Sequence, residues 1–162
     1  MSLTFEARHE IDIAPEDYYR EIHLAGPFNV WLHEEKLGVG YREIESDLST
    51  GMRKIEMMPR PDVPATLKKF IGESFKMVEE GRLEGDTYRF VVHPEKFGDR
   101  IRVSGEMKLE SRAGGCVRHV RITIDARVPG LGGLVERVTE KNVKKSLDDS
   151  ARFANEWIRE RL

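Results

Sequence analysis

Apolar and polar residues alternate from the start of the chain. Phe5, Ala7, His9, Ile11 and Ile13 interleave with Thr4, Glu6, Arg8, Glu10 and Asp12. A period of two predicts a strand over residues 4–13 with one buried face. Pro15 followed by Glu16 and Asp17 suits the first turn of a helix. Tyr18, Tyr19, Ile22 and Leu24 give that helix an apolar side, and Gly26-Pro27 ends it. A second short helix is predicted over 28–36, where Phe28, Trp31 and Leu32 recur at spacings of three and four.

Beyond Gly38 and Gly40 the pattern predicts strands at 39–47, 52–58, 74–83, 87–94, 99–112 and 116–128. The last two are clearest. Ile101, Val103, Gly105, Met107 and Leu109 form one apolar row, and Val120, Ile122, Ile124, Ala126 and Val128 form another, with Ala113-Gly114-Gly115 as the turn between them. Short connections imply an antiparallel meander. A Pro-rich stretch, 59–64, interrupts it and leads into a short helix over 65–71. The chain then closes with a helix over 131–162. The expected architecture is a single α+β domain over 1–162: a seven-stranded curved antiparallel sheet around a long C-terminal helix. Two short helices fall between strands 1 and 2, and one between strands 3 and 4.

The final helix has a drifting apolar stripe. Leu131, Leu134, Val135 and Val138 cluster on one side; Val143, Leu147, Ala151, Ala154, Ile158 and Leu162 lie about a third of a turn away. Between them run Asn142, Ser146 and Ser150. They mark either the border between core and solvent or the polar wall of a hollow between helix and sheet. Phe153 and Trp157 are expected to anchor the helix in the core.

Composition narrows the class. The chain has 27 basic and 29 acidic residues, a formal charge of −2, with the two signs interspersed. Such a surface has no field for gathering nucleic acid, and none is expected as a partner. One cysteine, Cys116, makes no internal disulfide and suits a reducing, cytoplasmic setting. No apolar run approaches the ~18 residues of a membrane span, so stable membrane insertion is not expected.

Together with this order of elements, three motifs carry a resemblance: Val128-Pro129-Gly130-Leu131-Gly132-Gly133 at the head of the last helix, Phe153-Ala154-Asn155-Glu156-Trp157 near its end, and Val63-Pro64 with 67–72 before strand 4. The chain resembles the START/polyketide-cyclase (SRPBCC, helix-grip) superfamily, within a bacterial family of unassigned function. The resemblance implies a deep apolar pocket between sheet and C-terminal helix, and a small hydrophobic or lipid-like molecule as partner.

Chemistry-bearing residues are sparse. His33-Glu34-Glu35-Lys36-Leu37 lacks the second histidine of a zinc-binding HExxH, and no metal or other cofactor is expected. His9 lies on the inward face of strand 1, and Glu43 and Glu79 fall near irregular strand patterns. These three are the candidate polar groups of the pocket, unless bulges turn the acids to water. Residues expected to line it are Tyr41, Met77, Phe90, Val92, Met107, Leu131, Val135, Asn142 and Ser146. Binding or transport of the hydrophobic molecule is the leading reading. A ligand-free interaction module, or a cyclase or hydratase using His9 or an inward Glu, stands as the alternative. The oligomeric state is left open.

Overall fold

The computed structural model describes residues 2–72 and 75–162. Seven strands form one antiparallel sheet: β1 (Ser2–Ile11), β2 (Gly40–Asp47), β3 (Met52–Met58), β4 (Met77–Glu84), β5 (Thr87–Pro94), β6 (Ile101–Arg112) and β7 (Gly115–Ala126). Their spatial order is β1-β7-β6-β5-β4-β3-β2. Strands 2 to 7 are thus a continuous meander, and β1 adds itself to the far edge by pairing with β7. The helices are α1 (Pro15–Tyr18), α2 (Gly26–Val30), α3 (Ala65–Ile71) and α4 (Gly132–Arg161).

Most bounds agree with the alternation pattern; the differences have local causes. The first strand ends at Ile11 because the next amide, Asp12 N–H, donates to Asn155 Oδ1 of α4 at 2.8 Å. A 3-10 turn at Gly98–Arg100 delays β6 to Ile101. At the end of β7 the Ala126 amide donates to the buried Glu136 carboxylate at 3.1 Å. The predicted start of strand 4 at residue 74 lies outside the described residues, and the strand begins at Met77.

The two early helices are unusual. Each passes into a π-helical turn, Tyr19–His23 after α1 and Trp31–Lys36 after α2. The i→i+5 bonds are explicit: Leu24 N–H donates to Tyr19 O at 2.8 Å and Leu37 N–H to Leu32 O at 2.9 Å. The wider winding turns residues five apart toward the same side, which the 3.6 period does not.

One apolar cluster joins the sheet's inner face to the helices: Phe5, Ile11, Val120 and Ile122 meet Tyr18, Ile22, Phe28 and Trp31 and, from α4, Ala151 and Ala154. Trp157 of α4 sits 5.1 Å from Trp31 and 5.7 Å from Phe28, ring centre to ring centre, so the expected aromatic anchors hold α4 against α2. A second cluster, containing Leu67, Ile101, Ala126, Val128 and Val135, packs α3 and the start of α4 against the sheet. Among the described residues, no helix is long and apolar enough to cross a membrane.

Candidate functional site

Register fixes which side chains share the inner face, because side chains alternate along each strand. One row runs Val103, Val92, Glu79 and Ile55 across β6 to β3; the next runs Gly105, Phe90, Gly81 and Arg53; the next includes Val120, Met107, Tyr88 and Leu83. Charged and phenolic groups therefore point inward on strands that are otherwise apolar. Two strand glycines make this fit. A Cβ on Gly81 would collide with the Tyr88 phenol, and one on Gly105 with the Phe90 ring, so both rings lie across bare backbone.

Arg53 and Glu79 form a buried ion pair, Nε to Oε2 at 2.7 Å, with residue exposures of 7% and 8%. Arg53 Nη1 also donates to the His23 carbonyl, at 2.6 Å, and ties β3 to the π turn. Burial opposes the charge on Arg53, but the Glu79 carboxylate outweighs it and holds the guanidinium protonated. The Tyr88 hydroxyl lies 3.4 Å from the same carboxylate, a long hydrogen bond, and burial followed by that negative charge raises its pKa.

The His23 ring packs 4.4 Å from Tyr88, edge to face, and near Tyr18 and Tyr19. Burial first, then the charges of Arg53 and Arg118, keep it neutral well below its ordinary 6.5. Burial likewise raises the Tyr19 hydroxyl. Three polar atoms here are buried without a partner among the described residues: His23 Nε2, the Tyr19 hydroxyl and Arg118 Nε. Buried polar atoms are nearly always satisfied, by protein, by ordered water or by a ligand.

Sequence reasoning placed Glu79 and His9 inward, and both are. His9 Nε2 lies 2.7 Å from Asp148 Oδ1, and its Nδ1 lies 3.3 Å from Arg118 Nη2. Arginine only donates, so Nδ1 accepts and Nε2 carries the proton toward Asp148. Glu43 is a correction: it is exposed on an edge strand, at an irregularity between Glu43 and Glu45. Ser146 is a second correction, for it faces solvent rather than the sheet. Asn142 is half-buried but spent, bonding Asp62 N–H at 3.0 Å, Asp62 O at 3.0 Å and Val138 O at 2.9 Å. It fastens the Pro-rich segment to α4.

The structure brings Tyr41, Met77, Phe90, Val92 and Met107 onto the inner face, with Tyr41 stacked 4.5 Å from His33 and its hydroxyl pushed up to about 12 by burial. Leu131 and Val135 belong instead to the second cluster. Sequence reasoning missed Arg53, His23, Tyr88, Tyr19 and Arg118. A signal existed for three of them. Arg53 shares the alternation of Ile55 and Met57, Tyr88 that of Phe90 and Val92, and Arg118 that of Val120 and Ile122.

Tyr18, Ile22, Phe28 and Trp31 join the buried cluster of the sheet's inner face, and α4 packs most closely on β1 and β7. What stays accessible is an apolar strip of half-buried inner side chains: Met57, Met77, Phe90 and Leu83 from the sheet, with Val143 and Leu147 from α4. Two open recesses of about 420 and 500 Å³ lie on the outer face, lined by charged residues such as Glu80, Arg89 and Glu106. Those charges already pair, Arg89 with Glu106 at 2.6 Å, and suit a solvated surface. Among the described residues no three His, Cys, Asp or Glu side chains converge on a metal site.

Comparison with known proteins supports the fold. Residues 33–158 match the profile of the family described as "Protein of unknown function (DUF2505)". No functionally curated protein sequence matches the chain. Among solved structures, that of Ara h 8.0201 aligns over 99% of both chains at a TM-score of 0.65 and 15% identity. The di-domain ARO/CYC StfQ from the steffimycin biosynthetic pathway aligns with 99% of this chain and 52% of its own, at 0.66 and 14%. A START superfamily protein from Mycobacterium smegmatis covers 98% of this chain and 97% of its own, at 0.57 and 7%. At such identities the likeness carries the fold, which is START-like.

Proposed function

We propose that this chain, which belongs to the DUF2505 family and has the START-like, helix-grip fold, binds a small apolar molecule along its inner face. The observation that carries the reading is the half-buried strip of Met57, Met77, Phe90, Val143 and Leu147 beside buried polar atoms that lack partners. Apolar burial at roughly 25 cal/mol per Å² supplies the affinity. Methionines at two strip positions adapt to the guest's shape, and the polar atoms orient it.

The alternatives find less support. Glu79 is committed to Arg53, and His9 to Asp148 and Arg118, so neither is poised for proton transfer in a cyclase or hydratase. The exposed apolar side chains Val30, Ile44, Leu48, Met58, Phe70 and Leu162 are spread over α2, β2 and the turn after it, β3, α3 and the end of α4, which gives an interaction surface less support than the inner-face strip.

The test is direct. Native mass spectrometry and organic extraction of protein purified from its own host are expected to show a co-purifying apolar species. The neutral probe N-phenyl-1-naphthylamine is expected to bind saturably and to weaken at least tenfold in Met77→Glu. Protein that carries nothing and leaves the probe dark would refute the reading.

A further inference from the structure

Arg118 is a buried cation whose described bonding partners are all neutral. It projects inward from β7 opposite His9 and Leu109, with the residue 5% exposed. Its Nη1 donates to the Tyr18 hydroxyl at 3.1 Å. Its Nη2 contacts Leu147 O at 2.9 Å, Ser150 Oγ at 3.2 Å and His9 Nδ1 at 3.3 Å. Its Nε has no partner among the described residues.

The Arg53 guanidinium is as deeply buried, but it meets the Glu79 carboxylate. No described carboxylate lies within ion-pair distance of Arg118. Asp148 stands one residue removed, behind the His9 ring, with its side chain 74% exposed. Glu136 is spent on the Ala126 amide. A buried charge without a counter-ion is among the most costly groups a fold can hold, and it persists where something else neutralises it. Tying β7 to α4 through Leu147 O and Ser150 needs donors, not a charge.

Resting on the apolar-ligand reading above, we infer that the ligand carries a carboxylate, which Arg118 receives through its unpartnered Nε. The neighbourhood fits an anion. The nearby Tyr19 hydroxyl, also without a partner, is a second donor. Leu109 and Leu147 beside the guanidinium are half-buried, so an apolar tail leaving Arg118 meets the accessible strip rather than sealed core. A planar guanidinium pairs with carboxylate more strongly than with a neutral hydroxyl, because the bond is charge-assisted. The ligand class is therefore a monocarboxylic acid with an apolar body.

The experiment compares two acid–alcohol pairs at pH 7 by calorimetric titration of the full chain: dodecanoate with dodecanol, and 2-naphthoate with 2-naphthol. At least one acid is expected to bind ten or more times tighter than its alcohol. Arg118→Gln is expected to bring the acid down to the affinity of the alcohol, and Arg118→Lys to retain part of the preference. Equal affinity of acid and alcohol in the unmutated protein overturns the inference, whether or not either variant folds. Survival of the full preference in Arg118→Gln also overturns it. Binding of neither member of either pair refutes the apolar-ligand reading itself, so the two failures are distinct.

Discussion

Arg53 on β3 and Glu79 on β4 meet at 2.7 Å on the inner face, each less than a tenth exposed. Removing one partner strands the other charge in the interior. Arg53→Met alone is expected to destabilise the protein by about 3–5 kcal/mol, whereas Arg53→Met with Glu79→Leu recovers most of the loss. Urea denaturation of the two variants checks this; additive losses would contradict it.

Gly81 makes room for Tyr88. Gly81→Ala is expected to cost about 1–3 kcal/mol, because the added methyl meets a ring held by the Arg53–Glu79 pair and His23. Gly26→Ala is the control. Nothing lies near its Cβ position and its φ is not positive, so it is expected to be neutral or slightly stabilising. Thermal unfolding of both variants separates local collision from a general effect of replacing glycine.

Three histidines set an acid limit. His9, His23 and His33 each have a pKa below the ordinary 6.5, with burial as the leading cause. Below about pH 6.5 the unfolded chain takes up protons that the folded chain refuses, so stability falls as pH drops and is independent of these groups above it. Each contributes a slope of up to about 1.4 kcal/mol per pH unit between its folded and unfolded values. His23→Phe is expected to remove one such slope and to leave stability at pH 7 within about 1 kcal/mol, since Nε2 gives up no bond. Denaturant titrations from pH 8 to pH 5 measure both effects.

Asn142 holds residue 62 to α4 through both amide atoms. Asn142→Ala is expected to cost about 1–2 kcal/mol and to speed hydrogen exchange at the Asp62 amide while leaving β6 and β7 unchanged. Uniformly faster exchange would assign Asn142 to global stability instead.

The alternation along the chain was enough to identify every strand and the strip residues Met77 and Phe90, because a two-residue period translates directly into a face. Helical faces were harder. The α4 stripe drifts, and Ser146 turned out to belong on the solvent side of that drift. His23 escaped because a π turn, not an α turn, sets its direction, and nothing in the 18–24 pattern signals the extra residue. Arg53 and Arg118 sit in phase with apolar neighbours, yet a charge in phase usually marks a frayed strand end. Only the partner across the sheet, the Glu79 carboxylate in one case and the His9 ring in the other, tells the two situations apart.

The pairing of β1 with β7 sets Ser2 opposite Asp125. During synthesis β1 (Ser2–Ile11) must wait until β7 (Gly115–Ala126) is made before its partner exists. Its sticky apolar edge is then open to helper proteins or to wrong neighbours. Closure of this edge is a long-range event, slow by nature, and the newborn sheet stays vulnerable until the hairpin of β6 and β7 is made.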